Sequence, residues 1–126
     1  MGYTHVTVPV SNLHKSKPPY MPSFLVGTGA VVCLAPGPEL LKAGVEPEGR
    51  EAHELANGTP VEYDYGFARL SFMGSDTVTK IIFGPDGVEP LLGVTALESV
   101  GIGVDPVSQT LKRYAALPLK AQHLPR

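Results

Sequence analysis

The sequence predicts an all-β domain, a closed barrel or a sandwich of short strands, with one or two short helices. Three observations point there. The chain carries 14 glycines and 13 prolines in 126 residues, which favours many turns over long helices. Apolar residues alternate over short stretches, as at Val6, Val8 and Val10. Turn signals punctuate these stretches at close intervals, at Gly27-Thr28-Gly29, Asn57-Gly58 and Gly74-Ser75-Asp76.

Thr4 to Val10 reads as a strand, and Pro9 near its end suits an edge position because proline lacks the ladder N–H. Ser11 to Pro19 is a polar, proline-bearing loop. Tyr20 to Val26 is a second strand that runs into the Gly27–Gly29 turn. Ala30 to Leu34 is then a short buried strand. Pro38 to Ala43 is a brief helix, with proline at the first helical position and Gly44 as its stop. Asn57-Gly58 predicts a two-residue type I′ hairpin turn. On its far arm Val61, Tyr63, Tyr65 and Phe67 alternate with Glu62, Asp64 and Gly66, and Leu70 and Phe72 continue the sheet. Val78 to Phe83 is the next strand, and Gly84 to Gly87 a loop. Thr95 and Glu98 have capping-box spacing for a second helix that Gly101 ends, with Val94, Leu97 and Val100 on its apolar side. Asp105 to Leu119 holds one or two more strands. No repeat or linker interrupts the chain, so residues 1–126 are expected to form a single domain.

Composition excludes several functions. The net charge is −2, which lacks the basic stripe that a nucleic-acid grip requires. The apolar run from Ala30 to Pro36 is far short of the ~20 residues of a membrane helix. The opening stretch, Met1 to Val10, alternates and does not read as a secretory leader, so a soluble cytoplasmic protein is expected. One cysteine, Cys33, precludes an internal disulfide or thiolate zinc cluster, and its apolar neighbours suit a buried structural thiol. His5, His14, His53 and His123 are scattered with no HExxH pattern, so neither a metal nor a cofactor is expected. No GxSxG element supports serine chemistry.

The informative stretch is Phe24-Leu25-Val26-Gly27-Thr28-Gly29-Ala30. It fails as a phosphate loop, since no GK[ST] follows. Taken with the small helix, the hairpin tip at Leu55 to Gly58, and the run from Phe83 to Glu98 containing Pro90-Leu91-Leu92-Gly93, it resembles the single-domain retropepsin-like aspartic proteases of prokaryotes. The resemblance spans roughly Tyr3 to Leu119. It implies a closed retropepsin-like β-barrel and a homodimer that pairs two copies of the turn on a twofold axis, with an extended peptide or protein as substrate.

That family's motif is Asp-Thr-Gly, and Gly27 stands where the aspartate belongs. Two such carboxylates ~3 Å apart share one proton, because like charges that close cannot both ionise, and they activate a water between them. One substitution per chain removes both acids, so the resemblance implies an aspartic endopeptidase scaffold that is inactive as written. By the same resemblance Gly27, Thr28 and Gly29 form the catalytic turn, with Thr28 bracing it across the dimer. Ala30, the flap tip Leu55, Ala56, Asn57, Gly58 and Thr59, and the wall residues Val88 and Leu91 would bind substrate. Leu92-Gly93 would pass behind the turn, Gly93 permitting close backbone approach. Terminal strands near Tyr3 to Val8 and Tyr114 to Leu119 would add dimer contacts. The origin of Gly27 is open between inactivation of an active parent, which the well-kept scaffold favours, and a natural pseudoprotease. The competing class is a non-catalytic peptide- or protein-binding module on the same fold.

Overall fold

The structure, a computed structural model, describes residues 4–26, 30–105, 107–108 and 110–113. It is mostly β. The strands are β1 (Thr4–Thr7), β2 (Val10–Ser11), β3 (Ser23–Val26), β4 (Cys33–Pro36), β5 (Gly49–Glu54), β6 (Pro60–Phe72), β7 (Ser75–Gly84), β8 (Leu91–Leu92), β9 (Ile102–Asp105) and β10 (Thr110–Arg113). Two short helices, α1 (Gly37–Lys42) and α2 (Val94–Glu98), complete the described elements.

Eight strands form one sheet in the order β1-β3-β8-β4-β7-β6-β2, with β5 also on β6, while β9 and β10 pair separately. β1 and β2 stand at opposite ends of that order, yet only Val8 and Pro9 lie between them. Val8 donates to the Pro22 carbonyl (3.2 Å), Val10 and Tyr20 exchange both backbone bonds (2.8 and 2.9 Å), and Ser71 donates to Pro9 (3.2 Å). One short length of chain therefore reaches both ends of the sheet, which curls into a half-barrel. The break falls at Pro9 because its ring nitrogen has no proton to give.

The concave side is the core. Val8, Val10, Phe24, Cys33, Leu40, Leu70, Ile81, Leu92, Leu97 and Ile102 are buried there. On β6 the core residues are the even ones, Gly66, Ala68, Leu70 and Phe72. Val61, Tyr63 and Tyr65 are only half-buried on the other face, and Phe67 is exposed. The alternation of the odd residues is real, but it is the even residues from Gly66 to Phe72 that face the core.

Several expectations are corrected. Residues 30–32 are not strand; β4 begins at Cys33 and runs parallel to β7, and Val31 is 64% exposed. The first helix begins at Gly37, one residue before Pro38. It ends with Val45 donating to Leu40 and Gly44 to Leu41, the paired bonds of a Schellman stop. The capping box of α2 does not form: Gly93 is the N-cap, and no side chain caps the helix. The Val94 N–H donates instead to the Ala30 carbonyl (2.9 Å), so a tertiary contact takes the role the sequence assigned to Thr95. In the tail, two strands are described, and Tyr114 to Leu119 lies outside the described residues.

The turns are exchanged in type. At the hairpin tip Gly58 donates to the Leu55 carbonyl and Leu55 to Thr59, both at 2.9 Å. Gly58 has φ +85°, and Asn57 is not among the positive-φ residues. This is a three-residue loop, a type I turn closed by a left-handed glycine. The two-residue loop with both φ positive is Met73-Gly74 (52° and 79°), between the partners Phe72 and Ser75. Asp76 accordingly belongs to β7, not to the turn. A methionine in the left-handed region is strained by ~1 kcal/mol or more, whereas asparagine tolerates it. Met73→Asn is expected to stabilise the domain by about 0.5–1 kcal/mol, read as an increase in the urea midpoint at constant slope; an unchanged or lower midpoint would contradict the turn assignment.

Candidate functional site

The candidate turn, Gly27, Thr28 and Gly29, lies outside the described residues, but the chain on both sides of it is described. β8 lies between β3 and β4, parallel to one (Leu25 opposite Leu91, Val26 opposite Leu92) and antiparallel to the other (Leu34 opposite Leu91). Leu25 donates to the Pro90 carbonyl at 2.9 Å, and the Ala30 carbonyl accepts from Val94 at 2.9 Å. The run from Pro90 to Val94 thus bonds to the last residues before the turn and to the first one after it.

Gly93 makes this crossing possible. A Cβ placed there would lie 2.6 Å from the Val31 oxygen and 2.7 Å from the Val32 carbonyl carbon, so two backbones meet with no room for a side chain. The Gly93 N–H points at the Cys33 sulfur (3.4 Å). Burial pushes the Cys33 thiol up, and the Gly93 bond only partly opposes this. Cys33 is therefore a neutral packing group, not a nucleophile.

Leu34 neighbours both predicted wall residues. Leu34 lies opposite Leu91, and the Leu34 Cδ1 and Val88 Cγ1 converge over Gly84, 2.8 and 2.9 Å from where its Cβ would be. Following the register, Leu25, Leu91, Leu34 and Ile82 share the sheet face opposite the core. Leu25, Leu34 and Ile82 are additions to the sequence-based set. Alternation offered a signal for Leu34, flanked as it is by the core residues Cys33 and Ala35, but pairing across distant strands was not legible. Ala30 is half-buried, held by its carbonyl.

The predicted tip residues, Leu55 to Thr59, are all exposed. Thr59 also donates its N–H to the Asn57 side chain (3.0 Å), so the tip is organised by its own loop. β5 pairs with β6 over Pro60–Tyr65, while β7 pairs with β6 only from Tyr65 onward. The outer hairpin is consequently a two-stranded ribbon, a marginal element that suits a lid.

Three of the four aspartates have their own partners. Asp64 binds Arg50 (2.9 Å), and Asp105 accepts the Val107 and Ser108 N–H groups. Asp76 is held below the ordinary carboxylate range, first by the Ser71 hydroxyl and then by Lys15. Asp86 sits exposed in the turn from Pro85 to Val88. A cavity of about 400 Å³ opens elsewhere, between Asn12, His14, Ser16, Glu46, Glu48 and Phe67, and none of the predicted site residues lines it. Among the described residues no group of three or more His, Cys, Asp or Glu could hold a metal ion, and no helix is long and apolar enough to cross a membrane.

No protein-family model matches the chain, and no curated protein matches it. Among solved structures it is similar to a retropepsin-like aspartic protease from Rickettsia conorii, at 19% identity over 82% of this chain and 85% of that chain, with a TM-score of 0.49.

If the β8 crossing holds the candidate turn, Gly93→Ala will be costly although it adds one methyl group. A loss of about 2–3 kcal/mol is expected from the forced backbone shift. Gly58→Ala at the exposed tip, where a Cβ meets nothing but φ is positive, is expected to cost about 1 kcal/mol. Equal denaturation midpoints for the two variants would refute the close approach at Gly93.

Proposed function

We propose that this chain is a retropepsin-type aspartic endopeptidase scaffold that works as a cytoplasmic homodimer. Two copies bring their Gly27–Gly29 turns together on a twofold axis, the Val10–Tyr20 rung closes each barrel, and an extended peptide lies between the turns and the Leu55–Thr59 lids. The supporting observation is the β8 crossing, with Pro90–Val94 bonded to the chain on both sides of the turn and Gly93 against the backbone of Val31 and Val32. A site that must hold two acids to a fraction of an ångström needs such rigid backing.

In this reading the chemistry needs a carboxylate at position 27 from each copy, one protonated and one ionised, to activate water and protonate the leaving amine. Gly27 supplies neither, so peptide binds without being cut. Thr28 braces the paired turns. Ala30, Val88 and Leu91 bound the pockets, joined by Leu25 and Leu34.

A second reading, a non-catalytic peptide- or protein-binding module (pseudoprotease) on the same fold, is favoured by one observation. Asp64, Asp76 and Asp105 are engaged in structural contacts within the chain, which leaves them committed elsewhere.

Gly27→Asp is expected to cleave unstructured peptides at acid or neutral pH, sensitive to a pepstatin-type inhibitor, while the present chain shows no cleavage. The gain should be on the order of 10²–10⁴-fold above background or more. Sedimentation is expected to give a dimer for both. A stable monomer would sink the twofold site, and two inert dimers that bind peptide tightly would favour the binding module.

A further inference from the structure

The lid ribbon is tied to the sheet by one side-chain group on the face opposite the core. Lys80 on β7 donates to both oxygens of Glu51 on β5, at 2.6 and 2.7 Å. These two strands do not pair with each other; β6 lies between them. In the register Lys80 is opposite Phe67 and Glu51 opposite Tyr63, so the ion pair runs diagonally over the intervening Tyr65. The Lys80 ammonium sits 4.4 Å from the Tyr65 ring centroid. Tyr65 in turn is seated between Gly49, where a Cβ would lie 2.5 Å from its hydroxyl, and the edge of the Phe67 ring, with centroids 6.0 Å apart. Glu51 and Lys80 are each about one-third exposed, so neither is freely solvated.

We propose that the Glu51–Lys80 pair, laid across Tyr65, is the clamp that sets how firmly the lid ribbon is held against the sheet, and that acid releases it. The clamp lies near the ribbon's root, four residues before the tip begins at Leu55. Beyond Tyr65 the ribbon has no bond to β7, so this diagonal is its remaining tie to that strand. A half-buried ion pair combined with a cation–aromatic contact matters most where the backbone ladder is thinnest.

The charged and titratable groups facing Glu51 are Lys80 from β7, Tyr63 and Tyr65 from β6, and His53 on its own strand, whose Nε2 lies 3.3 Å from the same oxygen. Glu51 is held below the ordinary carboxylate range, chiefly by the Lys80 hydrogen bond. A carboxyl lowered in the folded state contributes stability above its unfolded value and loses it as pH falls through the lowered one. The clamp is therefore intact at neutral pH and opens in acid. The lid role belongs to the function proposed above; the clamp concerns the ribbon itself and is measured without catalysis.

The test is amide hydrogen exchange on the full chain, corrected for intrinsic rates. In Glu51→Gln and Lys80→Met, residues 50–54 and 61–64 are expected to exchange about three- to tenfold faster, with residues 66–72 unchanged. The charge-swapped pair Glu51→Lys with Lys80→Glu is expected to recover most of that protection. Lowering the pH from neutral to below the carboxylate range should loosen the ribbon in the parent and in His53→Gln, but add nothing in Glu51→Gln. Unchanged ribbon exchange in both single variants would overturn the clamp. So would a uniform rise across the whole sheet without rescue by the swap, and an acid response that follows His53 would overturn the assignment to Glu51.

Discussion

Much of this fold depends on a backbone crossing at Gly93. β8 is two residues long, too short to be an independent element, yet it bonds to β3 on one side and β4 on the other. Its C-terminal neighbour presses on Val31 and Val32 with no side chain between. The first N–H of α2, on Val94, is satisfied from the same region, by the Ala30 carbonyl. Strand, crossing and helix start therefore share one set of hydrogen bonds, and none can shift alone. Leu25 and Ala30, on either side of positions 27–29, are held by those bonds.

The hairpin at the other end of the sheet is built on the opposite principle. Its outer part has one partner strand, an exposed polar tip and a left-handed glycine, features of a low-stability segment. What connects it to β7 is made of side chains. In the proposed reading these two elements on a common sheet serve peptide capture: one surface that does not move, and one that can close over it.

Position 27 shows how far chemistry and fold can be separated. The crossing, the core and the lid use Gly93, Leu92, Cys33 and the β5–β6 ribbon, none of which needs an acid at position 27. In the proposed reading a glycine there removes the reactive group, while these contacts stay in place. In a twofold assembly the effect is doubled, because both halves of a dyad come from the same codon.

Local chemistry in the sequence determined the strand content, the brief helix with its stop at Gly44 and the buried thiol of Cys33, while the close backbone approach at Gly93 was implied by the family resemblance. The first three follow from alternation, proline and glycine placement, and residue size, which act over a few positions. The tertiary structure decided what depends on distant partners. It gave the type I′ turn to Met73-Gly74, where Phe72 and Ser75 are held in register, and not to Asn57-Gly58. It replaced the Thr95 cap with a carbonyl from residue 30. It also gathered Leu25, Leu34 and Leu91 on one face and brought Lys80 to Glu51 across an intervening strand. A sequence states which residues alternate; only pairing between remote strands fixes which of the two faces each one joins.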